Sequence, residues 1–103
     1  MDESEFRTRI RVEVTVLNGW IEQGWLIPGT QQGERVFSEM DVARAELIND
    51  LMGGMGLNEA GVDVVMDLID QIHGLRGTLA DLRRALAAQD EAVQLRVLRV
   101  LSR

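Results

Sequence analysis

The chain has 103 residues, a formal net charge of −6, one histidine and no cysteine. This length predicts one small domain, and the lack of cysteine excludes disulfides, thiolate metal ligands and a cysteine nucleophile. Because His73 lies inside a helical pattern with no partner for a catalytic triad, we expect neither an enzyme nor a metal or other cofactor.

The first five residues are acidic and lack the apolar core of a signal peptide, and no apolar run approaches the length needed to span a bilayer. We therefore expect a cytoplasmic protein. A first helix is predicted next, capped by Asp2 or Ser4, with Phe6 and Ile10 four residues apart on its buried face. The β-branched residues around 12–14 predict a break after it.

A second helix is predicted from Thr15, its expected N-cap, to Gly24, where a left-handed residue commonly ends a helix. Its expected inner face consists of Leu17, Trp20 and Ile21. Residues 25–28 then form a short apolar exit that ends in proline. A helix, a turn and a second helix followed by such an exit are typical of a helix-turn-helix domain.

A small β wing and a third helix are predicted to follow. Residues 29–33 are a polar loop, and residues 35–37 alternate as a wing strand does. Ser38 and Asp41 have the spacing of a capping box, and the glycine-rich residues 53–56 end the third helix. The expected apolar face of that helix is Val42, Ala45, Ile48, Leu51 and Met52.

The last long helix, predicted from Glu59 to Leu86 with Asn58 as its cap, has apolar residues in the three-four alternation of a coiled-coil seam. The seam residues are Val65, Leu68, Ile72, Leu75, Leu79, Leu82 and Leu86. Because no other segment is long enough to cover them, we expect a homodimer. We divide the chain into residues 1–57 and 58–103, which together form one structural unit.

The distribution of charge along this helix suggests how two copies are oriented. Its first half carries the acids Glu59, Asp63, Asp67 and Asp70, and its second half carries Arg76, Arg83 and Arg84. In an antiparallel pair, acids face arginines, so we expect an antiparallel homodimer. The alternative is that these residues form solvated faces and simply complement the helix dipole.

Residues 6–86 resemble the MerR class of winged-helix regulators, which share a Gly-Leu-Leu-x-Pro helix exit, a wing, a second helix pair and an antiparallel dimerisation helix. Residues 24–28 match the exit, residues 35–39 the wing and residues 56–59 the following bend. This resemblance implies a mainly α fold: a winged helix-turn-helix with a short β wing, followed by a long coiled-coil helix.

This sequence departs from the DNA-binding members in the charge of its expected recognition helix and wing. Their recognition helix carries an arginine and aromatic residues, whereas residues 18–20 here are Asn-Gly-Trp. The usually arginine-rich wing carries Arg35 alone. Glutamates at positions 13, 22 and 34 would oppose the approach of phosphates. A DNA-binding regulator remains the alternative, and its neutral or cationic contacts would be Asn18, Gln31, Gln32 and Arg35.

A short, acidic, MerR-like chain that ends in its coiled coil resembles the chaperone modulator CbpM family. This resemblance implies an inhibitor that binds the J-domain of a CbpA- or DnaJ-type co-chaperone and blocks stimulation of a DnaK-type chaperone. The expected partner contacts are Glu59, Asp63, Asp67, Asp70, Trp20 and Trp25. Alternatively, both tryptophans belong to the core and the acids form a solvated face. A scaffold or assembly adaptor is a third possibility.

Overall fold

The computed structural model describes residues 1–102 and confirms the predicted fold class. Its helices and strands are α1 (Glu3–Ile10), α2 (Val14–Glu22), β1 (Gly29–Gln31), β2 (Glu34–Val36), α3 (Glu39–Met52), α4 (Glu59–Ala87) and α5 (Glu91–Leu101). The chain forms two compact units, Met1–Met66 and a second unit that begins at Asp67. Within residues 1–102, no helix is both long enough and apolar enough to cross a membrane.

Helix α1 begins as the sequence predicts. The Oδ1 atom of Asp2 accepts a hydrogen bond from the backbone N–H of Glu5 at 2.8 Å, which makes Asp2 the N-cap. Phe6 and Ile10 are buried. Arg11 ends the helix in a left-handed conformation with φ 57°.

Helix α2 begins two residues earlier than predicted, since its N-cap is Glu13 rather than Thr15. Glu13 adopts an extended backbone and makes no capping hydrogen bond with its side chain, so Thr15 falls within the first turn. The end of α2 is a Schellman motif: Gly24 has φ +78°, its N–H reaches the Ile21 carbonyl, and the Trp25 N–H reaches the Trp20 carbonyl. The predicted role of Gly24 is therefore confirmed.

The wing is a two-stranded antiparallel hairpin in which Gly29 pairs with Val36 and Gln31 with Glu34. Part of the predicted loop is therefore strand β1. Gln32 and Gly33 at the tip both have positive φ, as a type I′ turn requires. This turn matches the twist of the two strands, which is how so short a hairpin forms from a polar segment.

Helix α3 has the predicted capping box. The Ser38 side chain accepts from the Asp41 N–H, and the Asp41 carboxylate accepts from the Ser38 N–H at 2.8 Å. Four of the five predicted apolar residues of α3 are buried, but Met52 is 37% exposed because it lies in the last turn, where the chain leaves the core. The turn at residues 53–56 is also as predicted.

The apolar core lies in the first unit. The rings of Phe6 and Phe37 stack with centroids 4.1 Å apart, which joins α1 to the end of the wing. The Asn49 amide donates to the Ile10 carbonyl, and this bond joins α3 to α1. The buried apolar residues of residues 1–102 are Phe6, Ile10, Leu17, Trp20, Trp25, Leu26, Phe37, Val42, Ala45, Ile48, Leu51, Val62 and Met66.

Helix α4 begins as predicted, with the Oδ1 atom of Asn58 accepting from the Gly61 N–H at 2.9 Å. Its first part contributes Val62 and Met66 to the core of the first unit. The second unit contains the rest of α4 and α5, and none of its described residues is buried.

Candidate interaction surfaces

The exit from α2 is fixed by side chains from two other helices. The Trp25 indole N–H donates a 2.9 Å hydrogen bond to Oδ1 of Asp63 in α4. The Trp25 carbonyl accepts a 2.8 Å hydrogen bond from Nε of Arg44 in α3. Trp25 is therefore held at its side chain and at its backbone, and its neighbour Leu26 is fully buried.

Both tryptophans that the sequence proposes as partner contacts are buried, Trp20 with 6% and Trp25 with 3% of its surface exposed. This burial agrees with the alternative that they belong to the core. Both also line a groove of about 420 Å³ beside α2. We call it the α2 groove, and its apolar lining includes Val16, Trp20, Trp25 and Met52.

Two carboxylates, Glu22 at the end of α2 and Glu59 at the start of α4, also line the α2 groove. Both side chains are exposed, and neither has a hydrogen bond or ion pair with any residue among 1–102. Among residues 1–102, no arginine or histidine lines the groove. The α2 groove therefore combines an apolar surface with uncompensated negative charge.

Arg35 of the wing is held by side chains from two helices. Its Nη1 atom donates to Oε1 of Glu3 at 3.0 Å and to Oδ1 of Asn18 at 2.6 Å. The structure thus brings together two of the residues proposed for DNA contact, and it places an acid beside them. Asp2 and Glu34 line the same cleft as Glu3 and Arg35, so the arginine lies among three carboxylates.

The other proposed DNA contacts, Gln31 and Gln32, are exposed at the hairpin tip, where Gln31 pairs with the acidic Glu34. Residues 12–34, which include all of α2 and β1, contain no arginine, lysine or histidine. Residues 1–66 contain twelve Asp and Glu side chains and five arginines, a formal charge of −7. The helix-turn-helix and its wing are therefore anionic.

The model of a family described as MerR HTH family regulatory protein matches residues 2–84. The chain belongs to this family of MerR helix-turn-helix regulatory proteins. The match extends from the cap of α1 through the wing and most of α4. No curated protein and no solved structure matches the chain.

In this MerR family member, α2 and the wing are the elements that correspond to the recognition helix and wing of a winged helix-turn-helix. The sequence alone identified Arg35 and Asn18 on these elements. It did not identify Glu3, because an ion pair across 32 residues leaves no local pattern. It also missed the α2 groove, since Met52 was predicted to be buried and Glu22 was considered only as an obstacle to DNA.

The four acids proposed for partner contact lie along α4 of this MerR family chain. Glu59 and Asp63 belong to the first unit, and Asp67 and Asp70 belong to the second. Asp63 already accepts the Trp25 hydrogen bond, and Asp67 accepts one from the Gln71 amide at 2.9 Å. Asp63 thus supports the fold, whatever else it contacts.

The predicted seam lies on α4 of the MerR family chain, and most of it is exposed in the single chain. Leu75 is 69% exposed, and Val65 and Leu86 at the two ends are half-buried. The remaining exposed seam residues are Leu68, Ile72, Leu79 and Leu82. A continuous apolar stripe of this kind on a single helix is energetically unfavourable in water.

An exposed ion pair joins α1 to α3. Arg9 Nη1 and Nη2 donate to the two carboxylate oxygens of Glu39 at 2.7 and 2.9 Å. This hydrogen bonding lowers the pKa of Glu39 and raises the pKa of Arg9.

His73 is exposed on α4, and among residues 1–102 no three His, Asp or Glu side chains are arranged to hold a metal.

Proposed function

We propose that this MerR family protein is a non-enzymatic chaperone modulator of the CbpM kind. It binds the J-domain of a CbpA- or DnaJ-type co-chaperone and inhibits its stimulation of a DnaK-type chaperone. J-domains present a basic helix to DnaK, so an anionic protein that covers this helix competes with DnaK for the same surface. The activity requires no catalysis and no cofactor.

The observation that carries this proposal is that Arg35 is already engaged by other side chains of the chain. It is the single cation on α2 and the wing, and its guanidinium already donates to Glu3 and Asn18. A protein that binds duplex DNA gains affinity by neutralising phosphates and releasing counterions. A recognition helix and wing whose one arginine is engaged by a carboxylate have little such gain. The negative charge of the unit that contains them instead favours a basic protein partner.

We also propose that two copies associate in antiparallel fashion through the seam of α4. The exposure of Leu75 and its neighbours supports this proposal, because a second copy would bury them. The acids in the first half of α4 and the arginines in the second half support the antiparallel orientation. A dimer would present two anionic winged helices to its partners.

The test is a calorimetric titration of the purified chain with a J-domain, followed by an assay of J-domain-stimulated ATP hydrolysis by DnaK. We expect binding that weakens as salt increases, and inhibition of the stimulated hydrolysis but not of the basal hydrolysis by DnaK alone. The proposal is wrong if neither binding nor inhibition occurs at micromolar concentrations of both proteins.

A second candidate function is that of a DNA-binding transcriptional regulator. The family match and the wing support it, as does a cleft of about 290 Å³ that Arg7 and Arg11 line together with Glu13. The two cations suit a phosphate, and the carboxylate of Glu13 opposes one. A gel-shift assay at low salt distinguishes the two functions. Tight, salt-sensitive binding to duplex DNA would establish the regulator and displace the chaperone proposal.

A further inference from the structure

The α2 groove has exposed apolar surface. Val16 is 45% exposed and Met52 is 37% exposed, and both line the groove together with Trp20 and Trp25. Aliphatic and aromatic side chains that meet in a concave surface are typical anchoring points for an amphipathic helix. A partner helix that buries its apolar face here would remove this surface from water.

The wall of the α2 groove also leaves room for a partner helix to approach α2 closely. Gly19 lies within α2 and lines the groove, and a Cβ atom placed on it would meet no atom within 4 Å. Glycine inside a helix costs about 0.5–1 kcal/mol relative to alanine, so its presence does not serve the stability of α2. It gives a second helix space to lie against α2.

The charge of the groove specifies the partner's chemistry. Glu22 and Glu59 have no ion pair among residues 1–102, and the unit that contains them has a formal charge of −7. Guanidinium groups form charge-assisted hydrogen bonds with such carboxylates, whereas an acidic helix would be repelled. The apolar lining and the two carboxylates together fit an amphipathic helix that carries arginine or lysine beside its apolar face.

We propose that the α2 groove is the docking site for a basic amphipathic helix of a protein partner. Apolar side chains of this helix contact Trp20 and Met52, and its cations pair with Glu22 and Glu59. The inference rests on the proposed function in one respect, since the basic helix of the J-domain is its expected occupant. In this proposal the α2 groove, rather than the acids further along α4, is the principal contact surface for the partner.

The test uses the full chain and a J-domain free of tryptophan. Because the two tryptophans of this chain both line the groove, their fluorescence reports its occupation directly. The variant Gly19→Leu fills the groove without a strained backbone, and Glu22→Gln with Glu59→Gln removes its charge. The matched control is Glu5→Gln with Glu46→Gln, which removes the same charge from exposed positions of the same unit that do not line the groove.

We expect the wild-type chain and the control variant to bind the J-domain equally, with a change in tryptophan fluorescence. The Glu22/Glu59 variant should bind about tenfold more weakly, about threefold for each carboxylate, with a shallower dependence on salt. Gly19→Leu should weaken binding at least as much while the chain stays folded by circular dichroism.

The outcomes separate this inference from the proposed function. Equal J-domain binding by the wild type and by both groove variants would overturn the groove and leave the chaperone proposal standing. A second probe is a tryptophan-free helical peptide with arginines beside an apolar face. Binding of this peptide with sensitivity to Gly19→Leu, but no binding of the J-domain, would support the groove and overturn the chaperone function. Failure of both probes to bind overturns both.

Discussion

The indole N–H of Trp25 donates its hydrogen bond to Asp63 from a residue that is only 3% exposed, across 38 positions of the chain. This contact fixes the start of α4 against the exit from α2, two segments that the chain's connectivity leaves far apart. It also gives Asp63 a structural role beside its proposed role in partner contact.

We therefore expect Asp63→Ala to lower the free energy of unfolding by about 1–2 kcal/mol, because the nearly buried indole N–H loses its acceptor. Asp63→Asn should cost less, since an amide oxygen accepts the same hydrogen bond. Chemical denaturation followed by tryptophan fluorescence measures both variants. Equal destabilisation by the two would mean that the charge of Asp63, and not its hydrogen bond, supports the fold. Asp63→Asn is accordingly the variant to use in binding studies.

The contacts of Arg35 predict a coupling between the wing and α1. Arg35→Gln should destabilise the first unit by about 1 kcal/mol, because the side chain joins Glu3 and Asn18 and is partly exposed. A double-mutant cycle with Glu3→Gln should give a coupling of about 0.5 kcal/mol that fades at about 1 M salt. A coupling that salt leaves unchanged would contradict an electrostatic origin.

The ion pair of Arg9 and Glu39 predicts a dependence of stability on pH. Hydrogen bonding to Arg9 holds the pKa of Glu39 below its ordinary value of 4.5. A lowered carboxylate pKa in the folded state adds stability above the ordinary pKa, and this stability is lost as the pH falls through the folded value. Arg9, whose pKa is raised, stays charged throughout this range.

The difference in melting temperature between the wild type and Glu39→Gln should thus be present at neutral pH and disappear as the pH falls below the lowered pKa of Glu39. Both side chains are well exposed, so the difference should be small and should decrease with salt. Asp50→Asn serves as a comparison at an exposed position of the same helix. A difference that grows on acidification would contradict the assigned direction.

The seam of α4 predicts a dimer that a single charge disrupts. Leu75→Asp places a carboxylate at the centre of the apolar stripe and should convert the dimer into monomers in analytical ultracentrifugation. Ala80→Asp adds the same charge at an outward position of the heptad and should leave the dimer intact. A wild-type chain that is monomeric at micromolar concentration would contradict the dimer itself.

Single cysteines test the orientation, since the natural chain has none. In an antiparallel pair, Leu75→Cys near the centre of the seam lies close to its own copy, whereas Leu68→Cys lies opposite residues near Leu82. We therefore expect oxidation to cross-link Leu75→Cys and not Leu68→Cys. Efficient cross-linking of Leu68→Cys would indicate a parallel dimer.

Local features of this chain follow from its sequence because they depend on neighbouring residues. The Ser38–Asp41 capping box, the left-handed turn at Gly24 and the cap at Asn58 are set by short-range hydrogen bonds and backbone preference. The apolar stripes of α1 and α3 follow from helical periodicity in the same way. Together they determine the order of the helices and the winged helix-turn-helix class.

The tertiary structure decides which of these side chains are available to a partner. Contacts between distant segments bury Trp20 and Trp25 and leave Met52 partly exposed. Such contacts also bring the Trp25 indole to Asp63 and Arg35 to Glu3. No local pattern encodes such contacts, since the same spacing of residues occurs whether or not a partner group lies opposite. The sequence determines the elements and their charge, and packing alone creates the α2 groove beside Gly19.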